Sequence, residues 1–245
     1  MFALPTDLLL AGAELVLDGP EGRHAGTVRR VRVGEQVVVT DGAGHGVEAE
    51  VLAVGPDGVR LGVRSRWEEP APQPRVVVVQ ALPKGDRGEV AVETLTEVGV
   101  DVIVPWAAAR CVTRWREDRA AKSLARWRST AREAGKQARR VRWPDVRPLA
   151  STADVAALLA SAAAGLVLHE EATTPLASVP VPPEGDVVLV VGPEGGISPE
   201  ELAAFSAAQH VRLGPSVLRT STAGTVAAGI VLSRTPRWSI SATRR

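Results

Sequence analysis

Two kinds of apolar pattern divide this chain, and each permits a different architecture. Residues 76–82 form an almost continuous apolar run, and residues 102–105, 165–169 and 187–191 repeat the pattern at shorter length. Such strands are buried on both faces, as in parallel sheets whose crossovers are helices. The segments between them supply the helices, at residues 89–98, about 117–140, 154–164, 199–209 and about 222–232, with a further short strand at 211–213. The alternation predicts a doubly wound α/β sheet. Residues 1–70 read differently. Short alternating strands at 36–40, 47–54 and 59–63, the last two joined by a Pro56-Asp57-Gly58 turn, predict a small β-barrel or sandwich. Pro70, Pro72 and Pro74 form a stiff, extended linker between the two patterns, so the expected domains are 1–70 and 71–245.

The strand at 187–191 runs into Gly192-Pro193-Glu194-Gly195-Gly196-Ile197-Ser198. Glycines allow positive φ and close approach of the backbone to a ligand. Ser198, Pro199, Glu200 and Glu201 then read as an N-cap, a proline at the first helical position and a capping-box glutamate. Open α/β sheets bind ligands at this end of a strand. The loop has neither the G-x-G-x-x-G spacing of a dinucleotide site nor the Gly-Lys-Ser/Thr of a P-loop. From its residues alone it is either a cofactor site or a tight structural turn. A second cluster, Gly42, Gly44 and Gly46, lies among short strands with no helix after it and reads as hairpin turns.

The formal net charge is +1, but the average conceals an asymmetry. Residues 110–147 carry 13 Lys or Arg against four acids (Glu117, Asp118, Glu133, Asp145), a balance of +9, which leaves −8 for the rest. Trp106, Trp115, Trp127 and Trp143 are interleaved with that charge. Cations beside aromatic rings suit phosphates and stacked bases. The bland alternative is a solvated helix in an arginine-rich chain, which has 26 Arg and 3 Lys; the excess is local, however, and a compositional bias would be global. Arg29, Arg30 and Arg32 form a smaller basic group before Gly34. The lone Cys111 excludes an intrachain disulfide framework and reads as a core thiol. No stretch approaches the roughly 18 apolar residues of a membrane span, so a soluble, cytoplasmic protein is expected.

Three strand ends decide the reading: Leu168-His169-Glu170, the glycine loop, and Leu213-Gly214-Pro215-Ser216-Val217-Leu218-Arg219-Thr220. With them, the chain resembles the SPOUT RNA methyltransferases, and specifically the RsmE family that methylates N3 of a uridine in 16S rRNA. Matching elements span the chain: His24, Val28, Arg29, Gly34 and Glu35; Lys84-Gly85-Asp86-Arg87; Glu97-Val98-Gly99-Val100; and Glu133, Ala134, Gln137 and Arg140 in the basic helix. It departs from the family pattern at Ser216 and Ser221, where an arginine and a glutamate are common.

The resemblance implies a PUA-like RNA-binding β-barrel followed by an α/β domain closed by a trefoil knot, and a homodimer with its active site near the subunit interface. It implies S-adenosylmethionine as cofactor, no metal, and 16S rRNA or the small ribosomal subunit as partner. Cofactor contacts fall on Leu168, His169, Glu170, Gly192, Pro193, Glu194, Gly195, Gly196, Leu213, Gly214, Val217, Leu218, Thr220 and Ala223. Arg219 is expected to stabilise or orient the uracil, unless it pairs with Glu170 or Glu194 as a brace, and Glu194 is expected to accept a proton or orient the ligand. RNA contacts are expected at Arg29, Arg32, Lys84, Arg87, Arg139 and Arg140. Two other readings remain at this point. One is a related SPOUT enzyme acting on another rRNA or tRNA nucleotide. The other is a non-catalytic ribosome-assembly factor, prompted by Ser216 and Ser221.

Overall fold

A computed structural model describes residues 1–239; the last part of the expected second domain, residues 240–245, lies outside the described residues. The chain divides into two compact units, one of Met1–Ala71 with Gly135–Trp143, the other of Pro72–Ala134 with Pro144–Arg245. A single boundary at the prolines is therefore corrected to three crossings, because one short segment, from the last residues of the basic helix to Trp143, returns to the first unit.

In the first unit, strands β1 (Phe2–Ala3), β2 (Glu14–Leu17), β3 (Gln36–Thr40), β4 (His45–Gly55) and β5 (Gly58–Glu68) pair in the order β1-β3-β4-β5-β2. All pairs are antiparallel except β1 with β3. Register shifts between Glu48 and Ala49 and between Val51 and Ala53 act as bulges, which increase the local twist and curl the sheet. Inside the curl, Leu15, Leu17, Val39, Val47, Val51 and Leu61 form the core. Two five-residue helices, α1 (Thr6–Leu10) and α2 (Gly19–Arg23), interrupt the strands. They are too short to carry a helical period, which is why only strands were legible here.

The returning segment fills a slot in this unit. The Trp143 indole lies between Gly42 and Gly135, and a Cβ on either glycine would overlap the ring. Trp143 N–H donates to the Gly42 carbonyl at 2.8 Å, and the Val141 carbonyl accepts from Gly44 N–H at 2.9 Å and Thr40 Oγ1 at 3.0 Å. Lys136, buried, pairs with Glu21 at 2.9 Å. The glycines read as hairpin turns thus also make room for aromatic and guanidinium groups.

In the second unit, β6 (Arg75–Ala81), β7 (Val102–Trp106), β8 (Asp145–Val146), β9 (Ala164–Leu168), β10 (Asp186–Val191) and β11 (Gln209–Val211) form one sheet in the order β11-β9-β10-β6-β7-β8. Every pairing is parallel. Helices α3 (Arg87–Val98), α4 (Glu117–Gln137), α5 (Thr152–Ser161), α6 (Pro199–Ala204) and α7 (Thr220–Leu232) complete it. The central strands β6 and β10 are buried along almost their whole length, as their apolar runs require.

Four boundaries differ from the sequence expectation. Helix α4 stops at Gln137 rather than Arg140, and Arg139 adopts a positive φ of 55°. Helix α6 ends at Ala204, because Phe205 turns fully inward onto the Trp106 ring, with centroids 5.3 Å apart. Strand β11 then starts two residues early, at Gln209. Helix α7 begins at Thr220, so that Arg219 is its N-cap. Beyond β11, Arg212 N–H donates to the Thr174 carbonyl and its own carbonyl accepts from Leu176 N–H, both at 2.9 Å. After α7, the Arg234 guanidinium donates to the Val179 carbonyl at 2.7 Å. The 169–185 loop therefore grips the chain on both sides of α7, where the family resemblance puts the knot.

Candidate functional site

Because β9 lies between β11 and β10, the loops leaving these three strands emerge side by side. They enclose a cavity of about 890 Å³ in the second unit. It is lined by Leu168, His169 and Glu170 from the first loop, 192–197 from the second and 211–220 from the third, with Ala223 of α7. All the residues expected to touch a cofactor are thus brought to one wall set. Arg110, Glu171, Leu202 and Arg212 also line it; no motif pointed to them.

The glycine loop is both a tight turn and a wall. Gly196 N–H donates to the Pro193 carbonyl at 2.9 Å, and Gly196 has a φ of 76°. A Cβ on Gly192 would come within 2.7 Å of the Ile197 side chain. The turn is anchored by Glu201, only 4% exposed, through the capping box expected at Ser198. Its Oε2 accepts from Ser198 N–H at 2.9 Å, and its Oε1 from Ala109 N–H at 2.7 Å and Thr152 Oγ1 at 3.3 Å. A buried carboxylate with its acceptor sites filled holds neighbouring loops in one geometry. Arg110, next to Ala109, donates to the Gly195 carbonyl at 3.2 Å.

Residues 213–218 form neither strand nor helix, so their main-chain groups are not committed to a sheet or helix ladder. Gly214 has open space where a Cβ would stand. Apolar Leu168, Leu202 and Ala223 beside exposed main-chain donors and acceptors are the surroundings of a nucleoside-sized ligand. The His169 ring stacks on His210 with centroids 5.9 Å apart, and His169 Nδ1 accepts from Glu171 N–H at 3.3 Å. Arg219 is exposed, and its carbonyl accepts from the Thr222 and Ala223 N–H groups at 2.9 and 3.0 Å. Among the described residues no ion pair joins Arg219 to Glu170 or Glu194, so the bracing reading finds no contact within this chain. Glu194 is exposed, and its Oε1 accepts from Lys84 N–H at 3.3 Å.

The expected RNA contacts fall into two groups. Lys84 is exposed and Arg87 half-buried in the second unit, where Arg87 lines the cavity. In the first unit Arg29, Arg32 and Arg139 are exposed and Arg140 is half-buried. The Met1 amine is held below its ordinary pKa by burial and then by Arg29, Arg139 and Lys136, so cations distant in sequence converge there. Burial pushes the Cys111 thiol pKa up, which removes it from nucleophilic roles at neutral pH.

Comparison with known proteins places this geometry. Residues 69–232 match the model of an RNA methyltransferase domain, and residues 17–63 that of an RNA methyltransferase PUA domain. The chain belongs to the RNA methyltransferase family. This RNA methyltransferase is 50% identical over 237 residues to the ribosomal RNA small subunit methyltransferase E of Mycobacterium bovis, covering 94% of the chain and 90% of the relative. It is 30% identical over 217 residues to the Bacillus subtilis protein of that name, covering 84% and 85%. The Neisseria gonorrhoeae methyltransferase E, solved with S-adenosylmethionine, superposes with a TM-score of 0.80 at 28% identity, covering 95% of this chain and 96% of its own. A Legionella pneumophila protein solved with the same cofactor gives 0.83 at 29%, covering 96% and 97%.

Proposed function

We propose that this methyltransferase transfers a methyl group from S-adenosylmethionine to N3 of a uridine in small-subunit ribosomal RNA, uridine 1498 in rRNA numbering. The observation that carries the reading is the convergence of the 168–170, 192–197 and 211–220 loops on one cavity with Arg219 at the N-cap of α7. S-adenosylmethionine supplies a sulfonium-bound methyl that needs neither metal nor covalent enzyme intermediate. The glycine loop and residues 213–218 hold its adenosine by main-chain groups.

The rest of the chemistry belongs to the acceptor. N3 of uridine carries a proton and attacks only as that proton leaves, so negative charge grows on the ring oxygens. Arg219, a permanent cation at the positive end of α7, offsets that charge and orients the ring. Glu194 is the carboxylate within the same cavity that takes the proton, directly or through water. Arg29, Arg32, Lys84, Arg87, Arg139 and Arg140 bind phosphates of a helical substrate recognised by shape, with the target base splayed out. Two copies of the chain assemble with their active sites near the subunit interface, and the enzyme works in the cytoplasm.

Mass mapping of ribosomal RNA nucleosides from a strain lacking the gene tests the assignment. N3-methyluridine should vanish from small-subunit rRNA and return with the wild-type gene. Its retention in the deletion strain would sink the assignment, and loss of a different modified nucleotide would move the activity elsewhere in the family.

A further inference from the structure

A second cavity, of about 410 Å³, opens in the α/β unit beside the first. Arg114, Trp115 and Arg116 come to it from the segment before α4, Arg126 and Trp127 from α4, and Gly85 from the loop after β6. Trp127 is buried, and a Cβ on Gly88 would come within 2.9 Å of its ring, so the indole is fixed. Trp115 meets it edge-on, with centroids 5.1 Å apart and planes at 85°, and stays half-buried. Among the described residues the only acid of the lining, Glu89, is engaged by Arg126 at 2.8 Å. Arg114 and Arg116 are exposed on either side of Trp115.

The same two loops wall both cavities. The 83–88 loop gives Gly85 to this one and Arg87 to the larger one, while the 110–116 segment gives Arg114 here and Arg110 there. Thr113 Oγ1 ties the segments together by donating to the Pro83 carbonyl at 2.8 Å.

We propose that this cavity seats a nucleotide flanking the target base, its phosphate between Arg114 and Arg116 and its base against Trp115. A cavity of this size accepts one nucleotide, and the half-buried Trp115 indole, held edge-on by Trp127 beside two exposed arginines, offers a π-face together with phosphate ligands. An acidic peptide would satisfy the arginines and leave the indole without a planar partner. The site extends the charge excess of residues 110–147 into a defined subsite and rests on the RNA methyltransferase reading.

The test uses the full-length protein and a labelled small-subunit rRNA oligonucleotide that spans the target uridine and its neighbours. RNA affinity is followed by fluorescence anisotropy across a salt series, and S-adenosylmethionine affinity by calorimetry. The R114Q/R116Q variant should bind RNA on the order of tenfold more weakly, and its log affinity against log salt slope should fall by about 0.7, as for one single-strand phosphate contact. Cofactor affinity should stay within twofold. Trp115→Leu should weaken RNA binding with no change of slope, which separates stacking from charge. Should Trp115→Leu fail to fold, Ser123→Glu, which adds a carboxylate to the lining, should weaken RNA binding instead. Unchanged affinity and slope in a folded R114Q/R116Q protein overturn the proposal. So does micromolar binding of uridine monophosphate that the RNA does not displace, since the cavity would then serve a free nucleotide. Loss of RNA affinity registers whichever nucleotide is methylated, so failure of the uridine N3 assignment remains distinguishable.

Discussion

The two cavities of the α/β unit are built from different materials. The larger is framed by glycine, proline and irregular backbone at three adjacent strand ends, with charged side chains of both signs, Arg87, Arg110, Arg212, Arg219, Glu170, Glu171 and Glu194, added to that frame. The smaller is walled by arginine and tryptophan side chains on a helix and the segment before it. A site made of main chain is set by the fold and changes only when the backbone moves. A site made of side chains can be retuned one residue at a time. An invariant small cofactor suits the first construction, and a variable polymer suits the second.

Arg219 offers the largest way to break the contrast, as a side chain placed in the main-chain cavity. Arg219→Ala should lower the methyl-transfer rate by about 10²- to 10³-fold, as loss of one donor to a developing oxyanion does, and leave cofactor affinity within twofold. Single-turnover methylation and calorimetry measure the two, and an equal loss of both would mark Arg219 as a brace. Glu201→Ala comes next: with Ala109 and Ser198 N–H groups left unpaired, the unfolding free energy should drop by about 2–4 kcal/mol in denaturant titration. Cofactor binding should weaken with it, because the glycine turn loses its anchor.

Gly214→Val sharpens the distinction. The protein has room for the Cβ, so the melting temperature should hold while the lining gains bulk. Cofactor affinity should fall on the order of tenfold, about 1.4 kcal/mol, and RNA affinity should not. Loss of stability instead would mean the third loop is packed rather than open.

The smallest effect is expected at the opposite ends of the strands. Asp186 at the start of β10 accepts two hydrogen bonds of 2.7 Å from Arg75 at the start of β6, and these, against some burial, hold its carboxyl below the usual range. A carboxyl with a depressed folded-state pKa adds stability above its unfolded value of about 3.9, and that stability is lost as pH falls through the folded value. The pair is partly exposed, so the contribution is about 1 kcal/mol or less. Asp186→Asn should flatten the acid limb of stability against pH and change neither cofactor nor RNA affinity at neutral pH.

Much of this was legible in the sequence where burial is uniform. The apolar runs at β6 and β10 could only be inner strands, and the three motif segments end neighbouring strands. Arg110 could not be found that way, because its role depends on Glu201 capturing the N–H of residue 109 from a distant segment. Arg114 and Arg116 appeared only as part of a charge excess; their pairing around Trp115 depends on Trp127 packing over Gly88. The end of α4 was misplaced because residues 138–140 still look helical. Packing of Trp143 between Gly42 and Gly135 overrides that local preference.

That packing bears on how such a protein can be inherited or divided. An N-terminal fragment ending at residue 71 would lack the indole that fills the slot at Gly42 and the amine that neutralises half-buried Glu21. Recombination at the proline linker alone would therefore deliver an incomplete barrel. The two units can be traded between proteins only as a matched set, with the 135–143 segment travelling alongside residues 1–71.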